Sequence, residues 1–134
     1  MQAAFLRIKL KNLKKWNEDR NRTADKYLKK INNPLITNPL PCDDEHYNVW
    51  HLFVVRSDKR DALEQYLNNK GIGTNKHYPI PIHKQKAYRN ELLAKESLPV
   101  AEKLSSSVLS IPMYYGMTDE EIDYVIEALN SFRG

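Results

Sequence analysis

Apolar side chains recur along residues 2–31 at spacings of three, four or seven, or multiples of these: Leu6, Leu10, Leu13, Ala24, Leu28 and Ile31. That spacing builds one stripe of a helix, and no Gly or Pro interrupts the segment. Asn17 and Arg20 break the stripe. A helix of this length would run about 45 Å, more than a domain of this size uses, so part of it is expected to serve something else. No N-cap residue precedes Gln2-Ala3-Ala4-Phe5, which reads as a cut end rather than a natural helix start. Asn32-Asn33-Pro34 stops the helix, and Pro39 and Pro41 keep the next stretch irregular.

Residues 49–55 (Val-Trp-His-Leu-Phe-Val-Val) are apolar on both alternating faces, as a central strand should be. Residues 58–70 read as a helix with Leu63, Tyr66 and Leu67 inward, and Gly71 fits the left-handed position after its end. A second strand is expected over 72–78, stopped by Pro79 and Pro81, then a short helix over 84–94. Pro99 suits the first turn of a helix carrying Ala101, Leu104 and Val108 on one side, and residues 109–111 suit a third short strand. Thr118 and Glu121 form a capping box, Met117 can staple onto Ile122, and Ile122, Val125, Ile126 and Leu129 form the inner face of a last helix. The pattern predicts an α+β domain, a three-stranded sheet packed by helices, with the 49–78 strand pair left parallel or antiparallel.

Composition narrows the class. One domain fits 134 residues, and 41% hydrophobic with 28% charged side chains argues against wholesale disorder. No apolar run approaches the roughly 18 residues of a membrane span, no signal-peptide pattern opens the chain, and a cytosolic protein without membrane contact is expected. Cys42 is the only cysteine, which excludes an internal disulfide and a multi-cysteine zinc site. Its acidic neighbours Asp43-Asp44-Glu45 disfavour an activated thiolate. The net charge of +4 is uneven: residues 1–32 carry ten basic against three acidic side chains, and residues 118–134 one against five. Such asymmetry fits either an anionic partner or the solvated face of a helix.

The segment 76–90 draws attention. It holds four Lys/Arg, two His and two Tyr, no acid, and two prolines that stiffen it. Cations beside aromatic rings suit a phosphorylated or nucleotide-bearing ligand, while the plainer reading is a basic surface loop. His77 and His83 have the chemistry of a general acid or base, or of hydrogen bonds to a sugar or phosphate oxygen. His46, His51, His77 and His83 match no recognised metal-ligand spacing, so no metal is expected, and His51 reads as a packed strand histidine. Trp16 and Trp50 read as packing residues. Gly-x-Ser-x-Gly and Gly-rich phosphate loops are absent from the sequence.

Several segments together resemble the C-terminal part of the DegT/DnrJ/StrS family of pyridoxal-phosphate-dependent sugar-nucleotide aminotransferases. They are Gln2-Ala3-Ala4-Phe5-Leu6, Lys9-Leu10, Trp16-Asn17 with Arg20, and Trp50 through Ser57 with Arg60-Asp61. Gly71-Ile72-Gly73-Thr74, His77-Tyr78-Pro79-Ile80-Pro81-Ile82-His83, Leu98 through Glu102 and Leu109 through Met113 continue the match in order. The resemblance implies the small C-terminal domain of the aspartate-aminotransferase-like, fold type I architecture. Residues 1–32 would be the interdomain helix and 33–134 the α+β domain. The large domain, which carries the Schiff-base lysine and most cofactor contacts, would be absent. No catalytic or cofactor-binding residue carries over. His77, Tyr78 and His83 match the motif that borders the substrate cleft and are expected to contact the sugar or diphosphate, with Lys76 and Lys84 beside them. Asn17 and Arg20 are expected to make structural bonds to the rest of the enzyme.

The implied parent enzyme is a cytoplasmic homodimer using pyridoxal 5'-phosphate. It would move an amino group from glutamate to a nucleotide-linked keto-deoxysugar for lipopolysaccharide, other surface polysaccharide or glycoside synthesis, and the 134-residue piece alone would be inactive. Two other readings stand beside it: a stand-alone basic module for RNA or another polyanion, and a regulator derived from the aminotransferase fold.

Overall fold

The computed structural model describes residues 1–41, 43 and 46–134, so the expectation for Cys42 lies outside the described residues. The predicted 30-residue helix is two helices, α1 (Gln2–Leu10) and α2 (Leu13–Lys30), joined by a turn at Lys11 and Asn12. The Asn12 amide closes a three-residue turn onto the Lys9 carbonyl at 2.9 Å, which interrupts the four-residue ladder of the α-helix. Only the second half of the apolar stripe is buried. Ala24, Tyr27 and Ile31 enter the core, whereas Leu6 and Leu10 remain 63% and 67% exposed. The break in the stripe has a use within the chain: Arg20 donates through Nε to the Val49 carbonyl at 3.1 Å and through its guanidinium to Asn17 Oδ1.

The sheet is smaller than predicted. Strand β1 (Phe53–Arg56) pairs antiparallel with β2 (Val108–Ile111), Phe53 facing Ile111 and Arg56 facing Val108. The strand expected over 72–78 is reduced to one bridge between Asn75 and Ser110, and Thr37 bridges Arg56 on the other side. Asn75 exchanges both backbone hydrogen bonds with Ser110, at 3.1 and 2.8 Å. The ladder then ends, and the following Pro79 and Pro81 have no donor with which to resume it. The first strand also starts late. Trp50 has φ near +47°, a left-handed backbone, so the extended run begins only at Phe53, and His51 is exposed rather than packed in a strand.

Helix α3 (Arg60–Asn69) buries Leu63 and Leu67 and ends as its sequence predicts. Gly71 has φ +74°, its amide bonds Asn68, and the Ile72 amide bonds the Leu67 carbonyl at 3.0 Å, which together make a Schellman ending. The helix expected over 84–94 is instead three short 3-10 turns, Ile82–Lys84, Lys86–Tyr88 and Leu92–Lys95, the first two separated by an extended Gln85. Helix α4 (Pro99–Ser107) begins at Pro99 and buries only Ser107.

Helix α5 (Asp119–Ser131) has both bonds of the Thr118–Glu121 capping box and buries Ile122, Val125, Ile126 and Leu129. The core lies between α2, α3, α5 and the inner face of the two strands. Tyr27 meets Phe53 edge-on at 5.1 Å, and Trp50 stacks on Phe53 at 5.2 Å. Trp16 is a surface packing residue, tilted against Tyr115 at 6.0 Å.

The two ends of the chain neutralise part of each other's charge. Lys26 reaches Asp119 at 2.8 Å, Lys30 reaches Asp123 at 2.7 Å, and Arg22 joins Asp119 to the Met117 carbonyl. The basic excess of residues 1–32 is thus partly matched by the acidic last helix rather than left wholly for an outside partner.

Candidate functional site

The loop from His77 to Gln85 crosses in front of α4, and the two enclose a cavity of about 530 Å³. One wall is His77, Tyr78, Ile80, Ile82 and His83. The opposite wall is the apolar side of α4, from Leu98 through Ala101 and Leu104 to Val108. This explains why α4 adds so little to the core: its apolar stripe faces the loop across open space. Prolines at 79 and 81 fix φ and remove donors, so the loop holds its side chains without a backbone ladder.

His77 stands at the inner end. Its Nδ1 is 2.9 Å from Ser110 Oγ, and its Nε2 is 3.2 Å from the Asn75 side-chain amide nitrogen. The Lys76 amide fixes which way Asn75 points, because it donates to Asn75 Oδ1 at 2.8 Å. Asn75 Nδ2 can then only donate, so Nε2 accepts and Nδ1–H donates to Ser110. Both ring nitrogens are engaged inside the chain, and what His77 turns outward is its ring. Tyr78 meets that ring edge-on at 5.5 Å and is 72% exposed, and no hydrogen bond holds its hydroxyl among the described residues.

His83 is only 2% exposed, with Nε2 at 2.9 Å from Glu102 Oε1. That hydrogen bond, followed by one from the Leu98 amide, holds the Glu102 carboxyl below the usual carboxylate range. The chain thus brings three of the five expected site residues, His77, Tyr78 and His83, to one cavity.

The two lysines lie elsewhere. Lys76 Nζ points at α3, 2.6 Å from Glu64 and 3.1 Å from Asp61. Those contacts raise its pKa above the ordinary lysine value, with the Glu64 hydrogen bond the larger cause. Lys84 Nζ lies 3.5 Å from the Glu96 carbonyl and 3.8 Å from Glu102. No Lys or Arg lines the cavity, so the charge of the 76–90 segment is not what the cavity presents.

Sequence reasoning missed Asn75, Ser110 and Glu102, and it missed α4 as the opposing wall. One signal was present. Ala101, Leu104 and Val108 make a thin stripe, small and partly polar at Ser105, better suited to a cavity wall than to a core face.

Comparison with known proteins supplies the context. The model of the DegT/DnrJ/EryC1/StrS aminotransferase family matches residues 1–130. A dTDP-3-amino-3,6-dideoxy-alpha-D-galactopyranose transaminase from Aneurinibacillus thermoaerophilus is 46% identical over 132 residues, covering 98% of this chain and 36% of that protein. The crystal structure of Streptomyces venezuelae DesV in complex with a ketimine intermediate superposes with a TM-score of 0.91 at 40% identity, over 97% of this chain and 35% of that one. NtdA from Bacillus subtilis with bound PMP gives a TM-score of 0.75 at 34% identity, over 85% of this chain and 27% of that one. The chain therefore spans only about 36% of the length of the curated relative.

Proposed function

The chain belongs to the DegT/DnrJ/EryC1/StrS aminotransferase family, and from that premise we propose that it is the C-terminal domain of an enzyme that aminates a nucleotide-linked keto-deoxysugar. Its relatives include two dTDP-amino-sugar transaminases, and the family's aminotransferases depend on pyridoxal phosphate. The cavity lining contains neither a lysine nor a carboxylate. The residues of this cavity therefore do not supply the amine and the ring-nitrogen partner that the cofactor requires, and the part proposed for them is contact with the sugar. Residues 1–32 serve as the connection to a large domain that holds the cofactor, and glutamate is the amino donor. The parent is a cytoplasmic homodimer, and the chain alone has no transaminase activity.

The observation that carries this reading is the cavity between the His77–Gln85 loop and α4. Its walls are mostly apolar, with His77 and Tyr78 among the lining residues. A deoxysugar presents such a site with apolar ring faces and a few hydroxyls, and Tyr78 has a free hydroxyl to meet one. The diphosphate is bound outside this cavity, whose lining carries no cationic group.

The reading frame upstream of Met1 tests the proposal first. A continuous frame encoding a large domain with a Schiff-base lysine supports it. A stop codon sinks it, histidine in place of that lysine points to dehydration, and any other replacement points to a regulator. In the full-length enzyme, His77→Ala or Tyr78→Phe should weaken the sugar-nucleotide half-reaction more than the glutamate half-reaction. Equal losses in both would remove these residues from sugar binding.

A further inference from the structure

We infer that Glu102 is a positioning residue that fixes His83 in the cavity wall, because one carboxylate oxygen holds both the buried imidazole and the first turn of the opposite wall. Oε1 lies 2.9 Å from His83 Nε2 and accepts the Leu98 backbone amide at 3.1 Å. The Glu102 amide in turn donates to the Leu98 carbonyl at 2.9 Å. Leu98 is the N-cap of α4, and Glu102, one turn further in, takes the N-cap's own amide, as the acid of a capping box does. The same atom therefore joins the helix wall to the loop wall, across nineteen residues of sequence.

This geometry assigns the ring nitrogens of His83. A carboxylate only accepts, so Nε2 must carry the proton it donates. The neutral ring then has its lone pair on Nδ1, which has no partner among the described residues. His83 lines the cavity, so Glu102 leaves it with an acceptor nitrogen of fixed direction, suited to a ligand hydroxyl. His77 has no such freedom, since both of its nitrogens are taken. The other charged group facing this pair is Lys84, 3.8 Å from the same oxygen. The assignment rests on the sugar-cleft reading only for what the nitrogen is used for; the lock itself is a property of this chain.

The test is a proton–nitrogen NMR spectrum of the 134-residue chain labelled at histidine. The wild type should show a slowly exchanging His83 Nε2–H resonance, as expected for a buried donor held by a carboxylate. Glu102→Ala should lose it while the amides of Leu109 and Leu129 in the core keep their positions. Glu102→Gln keeps a neutral acceptor and should retain the resonance, shifted upfield because the hydrogen bond has lost its charge assistance. An unmoved Nε2–H in Glu102→Ala overturns the inference. If that variant does not fold, an unmoved Nε2–H in Glu102→Gln overturns it equally. Titration with dTDP-glucose in the full-length enzyme is read separately. A lock present with no binding sinks the sugar-cleft reading alone, and binding with no lock sinks the positioning role alone.

Discussion

Asn33 is the residue whose replacement should cost this domain most for its size. Its side chain is buried, and Nδ2 donates to the carbonyls of Leu129 and Phe132 at 2.8 and 2.9 Å, while Oδ1 accepts the Leu35 amide at 2.9 Å. The two carbonyls belong to the last turn and C-cap of α5, which has no basic residue in its last turn. A residue just after α2 thus closes a helix nearly 100 positions away. Asn33→Ala removes three hydrogen bonds of about 1 kcal/mol net each and leaves two carbonyls and one amide to find water or go unpaired, a total near 3–4 kcal/mol. For 134 residues, an unfolding entropy of about 2.1 cal/mol/K per residue converts 3 kcal/mol to a fall in Tm of about 10 °C. Asn33→Asp sharpens the point. The carboxylate would face two carbonyl oxygens at the negative end of a helix, so its pKa in the folded state should rise. Stability should then be best below the unfolded carboxyl pKa and fall as pH rises through the higher folded value. Urea melts of the three proteins between about pH 3 and pH 8 read both effects. A loss below 1 kcal/mol in Asn33→Ala, or a stability of Asn33→Asp that rises with pH relative to wild type, would refute the reasoning.

Two further outcomes follow from the same geometry. Gly71 has φ +74° and nothing within 4 Å of where a Cβ would lie, so Gly71→Ala should cost about 1 kcal/mol from backbone conformation alone, read as a lower urea midpoint with unchanged slope. The Asp119 carboxyl is held below its ordinary pKa, first by the hydrogen bond from Lys26. Its stabilising share is present above the unfolded pKa and lost as pH falls through the folded one. Wild type should therefore lose stability more steeply than Asp119→Asn between about pH 5 and pH 2, and parallel curves would contradict the pairing; 1 M salt should narrow the difference, since a Debye length of about 3 Å screens exposed pairs.

What could be read in the chain depended on how far apart the cooperating residues lie. Helix α5 was legible because its signals are local: the Thr118–Glu121 capping box lies within one turn, and Ile122, Val125, Ile126 and Leu129 follow the helical spacing. The end of α3 was legible for the same reason. The long first helix was half legible. Its period identifies an apolar face, but period alone does not say whether anything covers that face, and Leu6 and Leu10 are bare here while Ala24 is sealed. The strand expected over 72–78 failed where local pattern says least: only Asn75 pairs with Ser110, and Pro79 and Pro81 just beyond have no donor with which to continue a ladder.

The candidate site shows the same limit in its chemistry. An acid-free run of residues from 76 to 90 reads as a cationic surface only if acids elsewhere in the chain stay away from it. They do not. Asp61 and Glu64 arrive from α3 to hold Lys76, and Glu102 arrives from α4 to hold His83 and approach Lys84. Each lies at least twelve residues from its partner, beyond any window in which local charge counting works. Once those acids are in place, the segment presents prolines, aromatic rings and oriented imidazoles to its cavity rather than positive charge. Such a lining matches the sugar of the proposed sugar nucleotide better than its phosphates.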